Sequence, residues 1–116
     1  MCARYARLAA RALTDAKYLP ADAWEMGKRN KIVKEGYLDL RKELGLLTPG
    51  KSIVIFYNPS SNYNREDIIG THAGLYLGKK KELYFADQYF TYQRKVSYKR
   101  LLKEGMKARQ IILPFD

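Results

Sequence analysis

The sequence predicts an α+β fold in which N-terminal helices pack on a small antiparallel sheet of about four to five strands. Three observations lead to this fold class. Apolar residues recur at helical spacing in the first part of the chain, β-branched and aromatic residues form runs after Thr48-Pro49-Gly50, and turn-forming residues separate those runs. Because 116 residues are enough for one core, we expect residues 1–116 to form a single domain.

Three helices are predicted in the first part of the chain. From Cys2 to Leu13, apolar residues recur every three or four positions and arginines occupy another face, which is typical of an amphipathic helix. Pro20 forbids a simple continuation, and Ala21 to Lys28 is predicted as a second short helix. Tyr37 to Leu47 shows a similar leucine period that stops at the turn signal Pro49-Gly50.

The rest of the chain is predicted to form four strands and one short helix. A polar loop, Asn58 to Gly70, precedes the second strand, and a basic turn, Gly78 to Glu82, joins the second and third as a hairpin. The short helix spans Val96 to Glu104 and stops at Gly105. The predicted strands are Ser52 to Tyr57, buried on both faces, then Thr71 to Leu77, Leu83 to Phe90 and Ala108 to Leu113.

The composition limits the partners and the compartment. A formal net charge of +10 favours an anionic polymer or surface, and a nucleic acid is the less favoured partner because no nucleic-acid motif accompanies the charge. The apolar stretches are too short to cross a membrane, and the N-terminus lacks a signal peptide, so a soluble chain is expected. A single cysteine excludes an internal disulfide and leaves the compartment open: the chain is expected either in the cytoplasm or, after processing, as a secreted or cell-envelope domain.

The chain contains one cysteine and one histidine, and their positions suggest a nucleophile and its base. Cys2 opens the first predicted helix, where unpaired backbone N–H groups and the helix dipole favour a thiolate. His72 begins a predicted strand, with Gly74 and Tyr76 on the same face. Because Gly74 has no side chain, we expect a helix carrying the nucleophile to be able to approach His72.

These motifs together resemble the NlpC/P60 superfamily of papain-like cysteine peptidases. The resemblance rests on a cysteine heading an amphipathic helix, on Pro49-Gly50 before a buried strand, and on Thr71-His72-Ala73-Gly74-Leu75-Tyr76-Leu77-Gly78. It implies a papain-like catalytic domain in which Cys2 attacks an amide carbonyl and His72 takes the thiol proton. It also implies a third polar residue on the next strand and a peptide bond of peptidoglycan as the substrate.

Two residues of the next strand are candidates for the third position. Asp87 is preferred because its carboxylate can accept the second imidazole N–H and stabilise the imidazolium. Gln88 is the alternative, since alternation sends the two side chains to opposite faces. Tyr57 and Tyr63 flank the polar loop and are candidates to line a cleft or to donate a hydrogen bond to an oxyanion.

The function predicted from these residues is therefore hydrolysis of an amide in a peptide or peptidoglycan-like substrate. Acyl transfer or thioester cleavage on the same fold is one alternative, and a basic nucleic-acid-binding module without catalysis is another. One cysteine and one histidine far apart lack the spacing of a metal site, and no Gly-rich phosphate loop occurs. Neither a metal nor a cofactor is predicted.

Overall fold

The computed structural model describes residues 31–59, 72–89 and 92–113, without the side chains of Tyr89 and Tyr92. One α-helix, α1 (Tyr98–Lys103), and two 3-10 helices, Leu40–Lys42 and Leu44–Leu46, occur in these ranges. The strands are β1 (Lys31–Leu38), β2 (Ile53–Tyr57), β3 (His72–Lys79), β4 (Leu83–Tyr89), β5 (Tyr92–Ser97) and β6 (Lys107–Leu113). The helices predicted at Cys2 to Leu13 and Ala21 to Lys28 lie outside the described residues.

The six strands form one sheet in the order β1-β6-β2-β3-β4-β5, and every neighbouring pair is antiparallel. The strands β2, β3, β4 and β5 follow one another as a meander. The last strand, β6, returns to lie between β1 and β2, so the middle of the sheet brings together distant parts of the chain.

The predicted fold class is wrong. In place of N-terminal helices packed on four to five strands, the described residues form a mostly β structure of six antiparallel strands with one α-helix. The sequence did predict the four strands β2, β3, β4 and β6 and the helix α1, all of which the structure confirms. The two unpredicted strands, β1 and β5, lie at the two edges of the sheet.

The helix predicted from Tyr37 to Leu47 is also wrong. Strand β1 continues to Leu38, and the Asp39 side chain then accepts a hydrogen bond from the backbone N–H of Arg41 at the start of a 3-10 helix. Leu40 and Leu47 are buried in the core, whereas Leu44 and Leu46 are exposed. The leucines therefore anchor an irregular connection at two points and do not form one helical stripe.

The first face of the sheet carries an apolar core beneath α1 and the 3-10 helices. Its central contacts are those of three rings, Phe56, Phe85 and Tyr98, which we call the aromatic cluster. Phe56 and Phe85 meet edge to face with ring centroids 5.5 Å apart, and the Phe85 and Tyr98 centroids lie 6.5 Å apart. The Tyr98 hydroxyl accepts a hydrogen bond from the backbone N–H of Leu40, which fixes the first 3-10 helix over the core.

The second face of the sheet is buried as well. Ile55 on β2, Ala73 and Leu75 on β3 and Ile112 on β6 have no exposed surface. A strand buried on both faces reads as a continuous apolar run, so the prediction made for Ser52 to Tyr57 is confirmed.

Helix α1 begins and ends at residues suited to those positions. The Ser97 hydroxyl accepts a hydrogen bond from the backbone N–H of Arg100 at the N-terminus, and Gly105 adopts φ +89° just after the C-terminus. Leu101 is buried against the sheet. The Asn58 side chain donates to the backbone carbonyl of Glu104, which links the end of β2 to the end of the helix.

Candidate active site

His72 lies at the first residue of β3, at the end of the sheet where β2 stops. It pairs with Phe56 across the two strands, so both side chains project from the first face, and their ring centroids are 6.2 Å apart. Only 3% of His72 is exposed. The histidine is thus a buried polar group that borders the aromatic cluster, and burial of this kind requires hydrogen-bond partners.

Asp87 on β4 is one such partner. Its Oδ2 lies 2.7 Å from Nε2 of His72, and Asp87 has no exposed surface. The β3–β4 register pairs Leu75 with Ala86, so one further step brings Asp87 beside Gly74 and makes it a diagonal neighbour of His72 on the same face. Two adjacent strands of a hairpin therefore present the pair to each other.

Gly74 makes room for an aromatic ring and not for an approaching helix. A Cβ atom at Gly74 would lie 3.3 Å from Cβ of Phe85 and 3.6 Å from Cε2 of Phe56. The space above the glycine is therefore filled by the aromatic cluster. The expectation that this glycine makes room for a helix is wrong, because the two rings already fill that space.

Arg94 is the second partner of Asp87. The two residues are paired directly across β4 and β5. Nε of Arg94 donates to Oδ1 of Asp87 over 2.8 Å and Nη2 donates to Oδ2 over 3.1 Å, which is the forked geometry that a guanidinium makes with a carboxylate. Asp87 is held on both oxygens, so its orientation toward His72 is fixed.

Glu104, at the C-terminal end of α1, binds the other edge of the same guanidinium. Its carboxylate accepts hydrogen bonds from Nη1 and Nη2 of Arg94 at 2.8 and 2.7 Å, and a further one from Nε of the exposed Arg100 at 3.3 Å. Four of the five N–H donors of Arg94 are engaged in this way. The connected groups are called the ionic chain below: His72 and Asp87, which are buried, and Arg94 and Glu104, which are partly buried.

The electrostatics keep both carboxylates of the ionic chain charged. Burial raises the pKa of Asp87, but hydrogen bonds from His72 and Arg94 outweigh the effect of burial. The pKa of Asp87 therefore lies below its ordinary value. The hydrogen bonds from Arg94 likewise lower the pKa of Glu104, against a smaller opposing effect of burial. An ionised Asp87 can only accept, so Nε2 of His72 carries the proton in their contact.

The other residues predicted for the site are distributed as follows. Cys2 and Tyr63 lie outside the described residues. Gln88 follows Asp87 on β4, and alternation directs its half-buried side chain to the second face. Tyr57, also half-buried, follows Phe56 and is directed away from His72 by the same rule. The catalytic roles of Cys2, His72 and Asp87 and the cleft roles of the tyrosines stay predictions.

Sequence reasoning missed Arg94 and Glu104. A signal for Arg94 existed, because a hairpin after the predicted strand Leu83 to Phe90 places Asp87 opposite a residue of the next strand, and Arg94 has the complementary charge. No comparable signal pointed to Glu104, because its contact depends on where α1 ends above the sheet.

Within the described ranges, His, Cys, Asp and Glu side chains form no group of three or more suited to a metal ion. No helix in that part of the chain is long and apolar enough to cross a bilayer. Searches of protein-family models, curated proteins and solved structures find no significant match to the chain. The resemblance to the NlpC/P60 superfamily therefore rests on the sequence motifs alone.

Proposed function

We propose that this chain is a cysteine-dependent amide hydrolase in which Cys2 is the nucleophile, His72 the general base and Asp87 the residue that orients it. The observation that carries the proposal is the buried 2.7 Å contact between Nε2 of His72 and Oδ2 of Asp87. A carboxylate bound to one imidazole nitrogen fixes the tautomer and stabilises the imidazolium, which is the part it plays in catalytic triads.

The ionic chain supports this assignment because it fixes the position of the Asp87 carboxylate and also keeps it ionised. Arg94 holds both carboxylate oxygens, and Glu104 holds Arg94 in turn. A catalytic group needs a fixed rotamer supported by neighbouring hydrogen bonds. Arg94 is accordingly proposed as a positioning residue, which acts on the reaction only through Asp87.

The proposed reaction follows from the tautomer. With its proton on Nε2 shared with Asp87, neutral His72 has its lone pair on Nδ1, and Nδ1 accepts the thiol proton of Cys2. The thiolate attacks the amide carbonyl, and the tetrahedral intermediate expels the amine, which takes the proton back from Nδ1. Water, deprotonated by the same nitrogen, then cleaves the thioester and restores the thiol. The proposed substrates are peptides, including those of peptidoglycan.

The proposal is tested by incubating the protein with a panel of peptides, including peptidoglycan-derived ones, and following cleavage by mass spectrometry. Cys2→Ala and His72→Gln should each lower the rate by roughly 100-fold or more, because the first removes the nucleophile and the second its base. Asp87→Asn should lower it strongly as well, since an amide can hold the wrong tautomer. Gln88→Ala, one residue away on the opposite face, is the matched control and should leave the rate near that of the wild type.

Alkylation of the thiol provides a second readout that needs no substrate. The rate of reaction of Cys2 with iodoacetamide, measured against pH, should give a thiol pKa well below about 8.5 in the wild type and a higher one in His72→Gln. Full hydrolysis by Cys2→Ala, or an ordinary thiol pKa that His72→Gln leaves unchanged, contradicts the proposal.

A further inference from the structure

An open basic pocket lies between the edge strand β5 and helix α1, with a volume of about 490 Å³. Its cationic walls are Arg94 and Lys95 from the strand and Lys99, Arg100 and Lys103 from the helix. Arg94 lies on β5 and His72 on β3, the strands on either side of β4 and Asp87, so the pocket and the imidazole lie on opposite sides of Asp87. The two share Arg94, but the pocket does not include the imidazole of His72.

The charges of this basic pocket are only partly neutralised. Glu104 pairs with Arg94 and Arg100. Lys99 and Lys103, however, form no ion pair with any described residue. They lie four residues apart on one face of α1, which puts them about 6 Å apart along the helix axis. Because neighbouring like charges repel, a bound anion that meets both ammonium groups would relieve an unfavourable interaction.

We infer that the basic pocket binds a multivalent phosphate. The guanidinium fork of Arg94, which matches both carboxylates and phosphates, is already taken by two carboxylates of the protein. Lysines supply the remaining cations on the helix, and a lysine ammonium binds a phosphate oxygen as a point charge from any direction. The spacing of Lys99 and Lys103 suits a ligand with at least two phosphates in sequence. Condensed phosphate and a chain of phosphodiesters share this chemistry.

The competing explanation is the general field of a chain with a net charge of +10. That field would attract any anion and would weaken equally wherever two lysines are removed. Lys79 and Lys80 allow a matched comparison, because they are exposed at the turn between β3 and β4 and contribute the same charge. All four lysines are exposed, so neither pair of substitutions should disturb the fold.

The experiment is calorimetric titration of the full chain with tripolyphosphate at fixed ionic strength. The double variant Lys99→Gln/Lys103→Gln should weaken binding by about tenfold or more, and Lys79→Gln/Lys80→Gln by less than about twofold. Equal weakening in the two variants, or no binding by the wild type, overturns the inference. Circular dichroism confirms that each variant is folded.

Two further ligands define the chemistry. An oligoglutamate of matched charge should bind about tenfold more weakly than tripolyphosphate, and equal or tighter binding of it overturns the assignment to phosphate. A short single-stranded oligonucleotide distinguishes the two kinds of ligand, condensed phosphate and a chain of phosphodiesters. If its binding also depends on Lys99 and Lys103, the site takes phosphodiesters, and if it does not, the site is selective for condensed phosphate. None of these outcomes depends on the proposed hydrolase activity.

Discussion

The aromatic cluster and the ionic chain share one face of the sheet but are held together by opposite kinds of interaction. They meet where Phe56 faces His72 and where Phe85 precedes Asp87 by two residues on β4. The aromatic cluster gains free energy by leaving water, whatever the precise direction of its contacts. Burial of the ionic chain costs hydration free energy. Ion pairing and hydrogen bonding offset this cost only if every charged group keeps its partner.

The difference teaches which part supplies stability and which part supplies geometry. Rings of similar size can replace one another in a core at moderate cost, so the aromatic cluster is tolerant. The ionic chain fixes the position of each atom through paired hydrogen bonds, as the two forks on Arg94 do. A site that needs an oriented imidazole requires the second kind of region, supported by the first.

The largest expected effect comes from breaking the aromatic cluster. Phe85→Ala removes a fully buried ring that contacts both Phe56 and Tyr98, so we expect the free energy of unfolding to fall by about 3–5 kcal/mol. Urea unfolding followed by far-UV circular dichroism measures this loss. Phe85→Leu keeps most of the volume and should cost clearly less. Equal losses in the two variants would show that volume is not what matters at this position.

Breaking the ionic chain at its centre should have the next largest effect. Arg94→Met leaves two carboxylates facing each other, one of them fully buried, and we expect a loss of about 3 kcal/mol in the same unfolding measurement. The double variant Arg94→Met/Asp87→Asn should be more stable than Arg94→Met alone, because it also removes the stranded charge. A second substitution in an apolar core normally lowers stability further, so a second substitution that raises it is specific to an ionic region.

The matched control for this prediction is Arg100→Met. Arg100 contacts the same Glu104 carboxylate, but 67% of its side chain is exposed. An exposed pair contributes about 0.2–1 kcal/mol, so this substitution should cost far less than Arg94→Met. If the two variants lose equal stability, the buried position of Arg94 is not the reason for its effect.

The two edge strands show why the fold was only partly predictable from the sequence. The central strand β2 is buried on both faces and is a continuous apolar run, which identifies a strand directly. The edge strands β1 and β5 contain Lys31-Ile32-Val33-Lys34-Glu35 and Gln93-Arg94-Lys95-Val96, whose charges suit a sheet edge but hide the strand pattern. Missing both edges shortened the predicted sheet.

The candidate site was predictable to the extent that it depends on local pairing. His72 and Asp87 lie on consecutive strands of one hairpin, so alternation and a short turn were enough to suggest their contact. Glu104 reaches the site from a helix and through Arg94 on an unpredicted strand. Contacts of that kind depend on tertiary packing, and no periodicity in a single sequence encodes them.

The pH dependence of stability should also separate the two regions, because only the ionic chain titrates in the acid range. Asp87 and Glu104 have pKa values lowered in the folded state, so their contribution is present above about pH 4 and is lost as the pH falls through the folded pKa values. Urea unfolding of the wild type, measured from pH 7 down to acidic pH, should therefore show a falling free energy of unfolding. Phe85→Ala should keep the same slope, because the ring does not titrate, and Arg94→Met should flatten it. An unchanged slope in Arg94→Met would assign the acid sensitivity to other groups.

The smallest expected effect tests whether burial, and not ion pairing itself, gives the ionic chain its importance. Lys34 on β1 and Glu43 form an ion pair in which 45% of the lysine side chain is exposed. Water already solvates the lysine, and a glutamine can still donate a hydrogen bond to Glu43, whose side chain is 15% exposed, so Lys34→Gln should lower the free energy of unfolding by about 1 kcal/mol or less. The loss should shrink further in high salt, which screens exposed charges, whereas the loss from Arg94→Met should change little. A loss for Lys34→Gln as large as that for Arg94→Met would mean that ion pairs stabilise this sheet wherever they occur. The difference between the aromatic cluster and the ionic chain would then come from the types of residue in each and not from burial.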